Sequence, residues 1–315
     1  MKLSYSNCGA LIGYFPYAPD QLRYLASLGY RYVDFDMFDQ RDAYMADDWR
    51  DWVGKVAQTA ADLDITLSTA HSPSGQPDGW LTRADATARL IRSIEVCGML
   101  GIPRTVAHCL GQPRPVTQRD FVRRNVEYYR ELLPAAERWN VEILLENLGE
   151  PRDHDRAYCG TGPELLELID AINHPLVHAC WDTGHANLTT PDQTACIRSL
   201  GGHLKAVHIH DNMGDYPILG LKRAPRPNMD QHTMPFFGNT NWDGVMSALL
   251  SIGYEGTFNL EVDVPRVDGK IPFRDGNDKV VDKLWRLPLE LYTQSQQLLY
   301  NIAKHMLETF GCYEG

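Results

Sequence analysis

Short apolar runs alternate along the chain with longer segments in which apolar residues recur three and four apart, and this alternation sets the fold class. The runs Leu3–Asn7, Tyr32–Asp36, Ile65–Ala70, Arg104–His108, Val141–Glu146, Val177–Trp181, Ala206–Ile209 and Thr257–Glu261 read as strands. Most of them end on a polar or charged side chain. The segments Asp20–Leu28, Trp49–Leu63, Thr82–Leu100, Thr117–Trp139, Pro163–Ile172, Pro191–Leu200 and Trp242–Ile252 read as amphipathic helices between them. Gly29, Gly101 and Gly253 directly follow three of these helices, where a C-terminal cap favours glycine, and a strand begins shortly after each. Strand, loop and helix recur about eight times, which predicts a (β/α)₈ TIM barrel. A long loop follows the seventh strand. Beyond Glu261 another loop leads to a C-terminal helical extension, Leu287–Phe310, which either closes the barrel or serves in part as a dimer arm. No linker, charge block or low-complexity tract divides the chain, so residues 1–315 are expected to form one domain, with the barrel core at about 3–264 and the C-terminal loop and helix at 265–315.

Composition narrows the picture. The 315 residues fit one barrel, which commonly takes roughly 250 residues plus insertions. Apolar residues at 43% against 23% charged supply a sizeable core and argue against disorder. Acidic residues outnumber basic ones by 41 to 30, a net charge of −11 that repels phosphate backbones and anionic membranes at long range. A nucleic-acid partner would need a local basic patch, and the compact basic run is Lys222, Arg223 and Arg226. The start MKLSYSNCGALIGYFPY lacks a charged region followed by a long apolar run, and no stretch approaches the ~18 apolar residues of a membrane span, so a cytoplasmic protein is expected. Seven cysteines form no CxxC pair and are odd in number, which points to reduced, structural thiols, with Cys109 and Cys180 as small buried hydrophobes.

The candidate chemistry lies where strands end. In a parallel barrel the loops at the carboxyl ends share one face, so polar residues ending different strands converge. Those residues are His71, His108, Glu146, Asp182 with His185, His208 with His210, and Glu261; the pair Asp230 and His232 joins them from the loop after the seventh strand. A random scatter of eleven histidines would seldom put so many beside carboxylates at strand ends. Metal ligation explains the pattern, and a mixed carboxylate and imidazole set suits Mn²⁺, Zn²⁺, Co²⁺ or Fe²⁺. Glu146 follows the run Ile-Leu-Leu, where an uncompensated carboxylate would be costly, and a cation is its simplest partner. The ordinary alternatives are an ion pair for Glu146 and Glu261, a helix cap for Asp182, a satisfied core histidine for His208, His71 and His108, and a polar loop for Asp230 and His232. His210 reads as a group behind the ligands, and Trp181 and Trp242 as core residues rather than sugar-stacking platforms.

From about Leu3 to Val264 the sequence resembles the xylose-isomerase-like TIM-barrel superfamily, which groups sugar isomerases and epimerases with type-IV apurinic endonucleases. The resemblance rests on LLEN at Glu146, WDTGHAN from Trp181, KAVHIHDN at His208, the Asp230-x-His232 loop leading into GNTNWDG, and NLEVD at Glu261. By analogy with its ketose 3-epimerases, it implies one divalent metal on Glu146, Asp182, His208 and Glu261, Mn²⁺ foremost with Zn²⁺, Co²⁺, Mg²⁺ or Fe²⁺ as alternatives, and a substrate contact at His185. Those epimerases carry an arginine and a glutamate where this chain has Gly214 and Arg152, which separates its substrate from theirs. The endonucleases hold three zinc ions, and the matching positions are His71, His108, Glu146, Asp182, His185, His208, Asp230, His232 and Glu261.

The resemblance and the residues together favour an isomerase or epimerase of a sugar, sugar phosphate or keto-sugar, acting by proton abstraction beside a carbonyl to give an enediolate. Glu146 and Glu261 would move the proton, and His185, His71, His108 and His232 would contact the substrate. Lyase or dehydratase chemistry on keto-sugars or inososes would use the same site. A zinc phosphodiesterase is the alternative; the acidic charge makes carbohydrate the favoured partner over nucleic acid. A non-catalytic sugar-binding barrel would leave the ligand set unexplained, and a homodimer is an expectation from resemblance alone.

Overall fold

The computed structural model describes residues 1–38, 40–73, 82–110, 117–148, 158–190, 192–214, 230–263 and 287–315. Eight parallel strands close into a barrel in sequence order: β1 (Lys2–Ser6), β2 (Tyr32–Asp36), β3 (Thr66–His71), β4 (Arg104–Ala107), β5 (Glu142–Glu146), β6 (Val177–Asp182), β7 (Leu204–Ile209) and β8 (Thr257–Leu260). The ring is sealed by β1 pairing with β8, Leu3 opposite Phe258. The helices are α1 (Ala10–Tyr14), α2 (Ala18–Leu28), α3 (Arg41–Met45), α4 (Trp49–Asp62), α5 (Arg83–Leu100), α6 (Gln118–Trp139), α7 (Gly162–Ile172), α8 (Thr183–Thr189), α9 (Gln193–Leu200), α10 (Trp242–Ser251) and α11 (Leu289–Thr309).

Each predicted strand and long helix is present, shifted by a few residues at its ends. The short α1, α3 and α8 were not predicted, because five to seven residues give too little periodicity to stand out. Gly29 and Gly101 end their helices in the left-handed conformation, at φ 103° and 69°. Asn140 and Asn173 do the same for α6 and α7 at φ 51° and 52°, a cap for which asparagine is the usual second choice. At the other end, Thr82 and Asp85 form a capping box that starts α5, and Thr117 accepts the Asp120 amide at the start of α6.

The helix α11 packs on its own barrel beside α2. Tyr292 stacks on Tyr14 at 4.3 Å, and Tyr300 meets Tyr30 edge-on at 5.0 Å. Of the two roles expected for this extension it takes the first and closes the helical ring, while residues 264–286, the Lys222–Arg226 cluster and Arg152 lie outside the described residues. Among the described residues no helix is long and apolar enough to cross a membrane.

Period-two alternation along the strands builds the barrel interior in layers. Val106, Leu144, Cys180 and Ala206 form their own fully buried cluster, apart from the large core between sheet and helices. Two residues earlier on three of these strands come Arg104, Glu142 and His178, with Arg104 Nε 3.1 Å from Glu142 Oε2 at the amino-terminal end. Two residues later come His108, Glu146, Asp182 and His208. An apolar plug thus separates the polar floor from the polar mouth. The register sets Asp182 opposite His208 and Asp36 opposite His71, so the strand ends present their side chains at one level. All seven cysteines are free; Cys109 and Cys180 are buried, as expected of structural thiols.

Candidate active site and metal centre

The mouth of the barrel gathers every predicted site residue. His208 is at its centre: Nδ1 lies 2.7 Å from Glu146 Oε1, 2.5 Å from Glu261 Oε2 and 4.0 Å from Asp182 Oδ2. Ligand atoms of Glu146, Asp182, His208 and Glu261 all fall within 4.8 Å of one another. His71 and His108 close on the far side of Glu146, their Nε2 atoms 3.4 and 2.7 Å from Oε2. His71, Glu146 and His208 therefore also meet at ligand distance.

A second cluster stands beside the first. Asp230 Oδ2 lies 3.4 Å from His185 Nε2 and 3.2 Å from His232 Nε2, and the His232 ring stacks on His210 at 3.8 Å. Ligand atoms of His185, His210, Asp230 and His232 again fall within 4.8 Å. His210 joins the two clusters, since its Nε2 lies 3.0 Å from Asp182 Oδ1.

Local structure explains the placement. Asp182 Oδ1 caps the short helix α8 by accepting the His185 amide at 2.6 Å, so capping and ligation are compatible roles for one carboxylate. Asn147 exchanges hydrogen bonds with the Asp182 backbone, at 2.9 Å to the carbonyl and 2.7 Å from the amide, and its own carbonyl meets His185 Nδ1 at 3.0 Å. Asp211 holds the Asp230–His232 loop: it pairs with Thr233 through the backbone, and its carboxylate accepts from the Phe236 and Thr240 amides and the Trp242 indole N–H. Trp181 likewise donates to Gln193, and both tryptophans are buried in the core. Neither Asn147 nor Asp211 was singled out from sequence; a polar residue directly following a buried strand end was the available signal.

Gly184 is required by close approach. A Cβ there would lie 1.9 Å from His210 Cε1, so the ring occupies the space a side chain would need. Gly184→Ala is expected to displace His210, free Asp182 and weaken divalent-cation binding about tenfold or more, with the far-UV circular dichroism unchanged. Wild-type cation affinity in this variant, by titration, would show that His210 does not support the site.

Charges balance within the pocket through imidazoles. Burial opposes protonation of His71, yet the close Glu146 carboxylate outweighs it and lifts the pKa to about 9. His232 is raised to about 9 against burial by Asp230. Burial would raise the Glu146 and Glu261 carboxyl groups, but His208 together with His108 at Glu146 and with His232 at Glu261 outweighs it and holds both well below the usual carboxylate range. Among the described residues no lysine or arginine pairs with Glu146, Asp182, Asp230 or Glu261. Glu146 Oε2 and Glu261 Oε2 are buried and make no hydrogen bond of acceptable angle, despite their close histidines. Lone pairs of both remain for a cation, and three carboxylates with one imidazole are a fitting donor set for a divalent transition metal.

The model for the family described as xylose isomerase-like TIM barrel matches residues 22–284. The chain belongs to this family. Inosose isomerase of Bacillus subtilis is 25% identical over 169 residues, which cover 54% of this chain and 57% of that protein. The chain spans about half the length of the first curated relatives it matches. A crystallised D-psicose 3-epimerase, solved in the presence of D-fructose, superposes with a TM-score of 0.68 at 17% identity, covering 98% of this chain and 99% of that one. The IolI protein with a bound zinc atom superposes with a TM-score of 0.67 at 19% identity, covering 96% and 98%. At these identities the superpositions establish the family fold. Gly214, where this family's ketose 3-epimerases were expected to carry an arginine, sits at φ 63° against Asn187 and Asn239.

Proposed function

We propose that the protein is a divalent-metal-dependent isomerase or epimerase of a small keto-sugar. The carrying observation is the set of buried Glu146, Asp182 and His208 with the half-buried Glu261, whose converging oxygens lack a lysine or arginine partner among the described residues. Relatives that are inosose isomerases and structural neighbours that are ketose epimerases support the carbohydrate class.

These four side chains would hold the cation, Mn²⁺ foremost, with Zn²⁺, Co²⁺, Mg²⁺ or Fe²⁺ also compatible with the donor set. When bound, it would polarise a substrate carbonyl and make the adjacent C–H acidic. Glu146 ends β5 and Glu261 follows β8, with β6 and β7 between them, so the two carboxylates flank the cavity and can serve opposite faces of a bound carbon. One takes the proton and the other returns it, the arrangement epimerisation needs. His185, held at Nδ1 by the Asn147 carbonyl and with Nε2 3.4 Å from Asp230 Oδ2, would hydrogen-bond a sugar oxygen. His71, His108 and His232 line the same cavity, and His108, with a side chain 31% exposed, is the most open of them.

The second cluster favours one other reading. His185, Asp230 and His232, with His210 behind them, could hold a further cation, and His71 with His108 a third, as a zinc phosphodiesterase would require. Elemental analysis of protein purified without added metal or chelator separates the two. One equivalent per chain, with C3 or C2 inversion or isomerisation on a ketose panel, is the expected result. Three zinc equivalents and cleavage of abasic-site DNA would replace the sugar reading.

A further inference from the structure

Asp34 is a fully buried carboxylate inside the barrel that the proton transfer above does not use. It sits mid-strand on β2, one layer below the mouth. Ser6 Oγ donates to its Oδ2 at 2.6 Å, and Asn259 Nδ2 donates in turn to Ser6 Oγ at 3.0 Å, so the carboxylate is anchored from β1 and β8. Its Oδ1 has no hydrogen-bond partner. Oδ2 lies 4.0 Å from Nε2 of His208, and that nitrogen is also buried without a hydrogen-bond partner.

The Asp34 carboxylate and this nitrogen face each other. An imidazole that gives its Nδ1 lone pair to a cation carries its proton on Nε2, and a buried N–H with no acceptor costs about 1–3 kcal/mol. His208 turns Nδ1 towards Glu146 and Glu261, so Nε2 faces down the barrel towards Asp34. The Cys180 thiol also borders this ring, but sulfur is a weak acceptor. Packing alone gives no reason for a carboxylate here, since an apolar side chain would fill the layer without a desolvation cost.

We propose that Asp34 is a positioning residue for the metal centre, accepting the Nε2–H of His208 and so fixing the ring with Nδ1 towards the cation. The inference rests on the reading of His208 as a ligand. A carboxylate behind a ligating histidine makes the ring a stronger donor and prevents its rotation, and loss of such a partner typically costs about 10–100-fold in affinity.

The test is titration with Co²⁺, followed by its visible d–d absorption, on the wild-type protein, Asp34→Asn and Ser6→Ala, each checked for fold by far-UV circular dichroism. Asp34→Asn is expected to weaken Co²⁺ binding about 10–100-fold and to shift the spectrum as the imidazole reorients. Ser6→Ala should move both readouts the same way by less. Wild-type affinity and a superimposable spectrum in Asp34→Asn would overturn the inference alone; if that variant does not fold, an unchanged Ser6→Ala does so. A wild-type protein that takes up no Co²⁺ would overturn the metal reading and this inference with it.

Discussion

Replacing Glu146 or Glu261 by glutamine is expected to leave the barrel folded and to reduce turnover by about a thousandfold or more. Loss of a positioned general acid or base alone removes about 10²–10⁴-fold. The amide also takes a negative charge from the proposed cation site, so binding and proton transfer fail together. Folding should survive because glutamine keeps the shape of the side chain, and the apolar layer of Val106, Leu144, Cys180 and Ala206 lies beneath the change. Glu146→Gln should be the less stable of the two, since that carboxylate answers His71, His108 and His208, all within 3.4 Å. Solvent deuterium exchange at the substrate carbon next to the carbonyl separates the roles: the variant lacking the base for a given epimer loses wash-in from that epimer first. Turnover near the wild-type rate in either variant would remove that residue from the proton-transfer pair.

The strand-end residues were legible because the topology does the assembling. Once eight apolar runs alternate with eight helical segments, a parallel closed sheet follows, and residues as distant in sequence as His71 and Glu261 must share one face. The spacing within strands was equally readable: Glu142, Leu144 and Glu146 alternate polar, apolar and polar, and so do His178, Cys180 and Asp182. What sequence could not supply was the division of the mouth into two clusters. That depends on side-chain directions, such as His210 turning towards Asp182 while stacking on His232. Asp34 escaped notice for a related reason: it lies in the middle of its strand, and its proximity to His208 arises only when the ring closes across β1 and β8. Asn147 and Asp211 support the site through backbone atoms, and residue type alone does not reveal a bond to a main-chain group. The short α8 starts on the Asp182 cap, a local bond to the residue three further on that was weighed as an alternative to ligation, but seven residues give too little periodicity to show the helix itself.

Stripping divalent metal with a chelator is expected to lower the thermal midpoint substantially and to loosen one half of the barrel mouth more than the other. A ligand that binds only the folded state at a thousand times its Kd stabilises by about 4 kcal/mol. For a chain of this size that is a fall of about 8 °C, taking the lower end of the usual 2–4 °C per kcal/mol. The direction follows from the donor set. Glu146, Asp182, His208 and Glu261 come from β5, β6, β7 and the residue after β8, so one cation would cross-link four adjacent strand ends and offset three buried carboxylates at once. Without it, the histidines alone must balance the carboxylates, and Glu261, which has His208 and the more distant His232 where Glu146 has three close imidazoles, has the least to hold it. Amide hydrogen exchange should therefore accelerate at the carboxyl ends of β5 to β8 and stay nearly constant at the starts of the same strands, where Arg104, Glu142 and His178 form a floor independent of the cation. Re-addition of Mn²⁺ should restore midpoint and protection together. A chelated protein that melts at the same temperature, with uniform exchange around the ring, would mean that the carboxylates are compensated by the histidines alone, and the proposed metal centre would have to be abandoned.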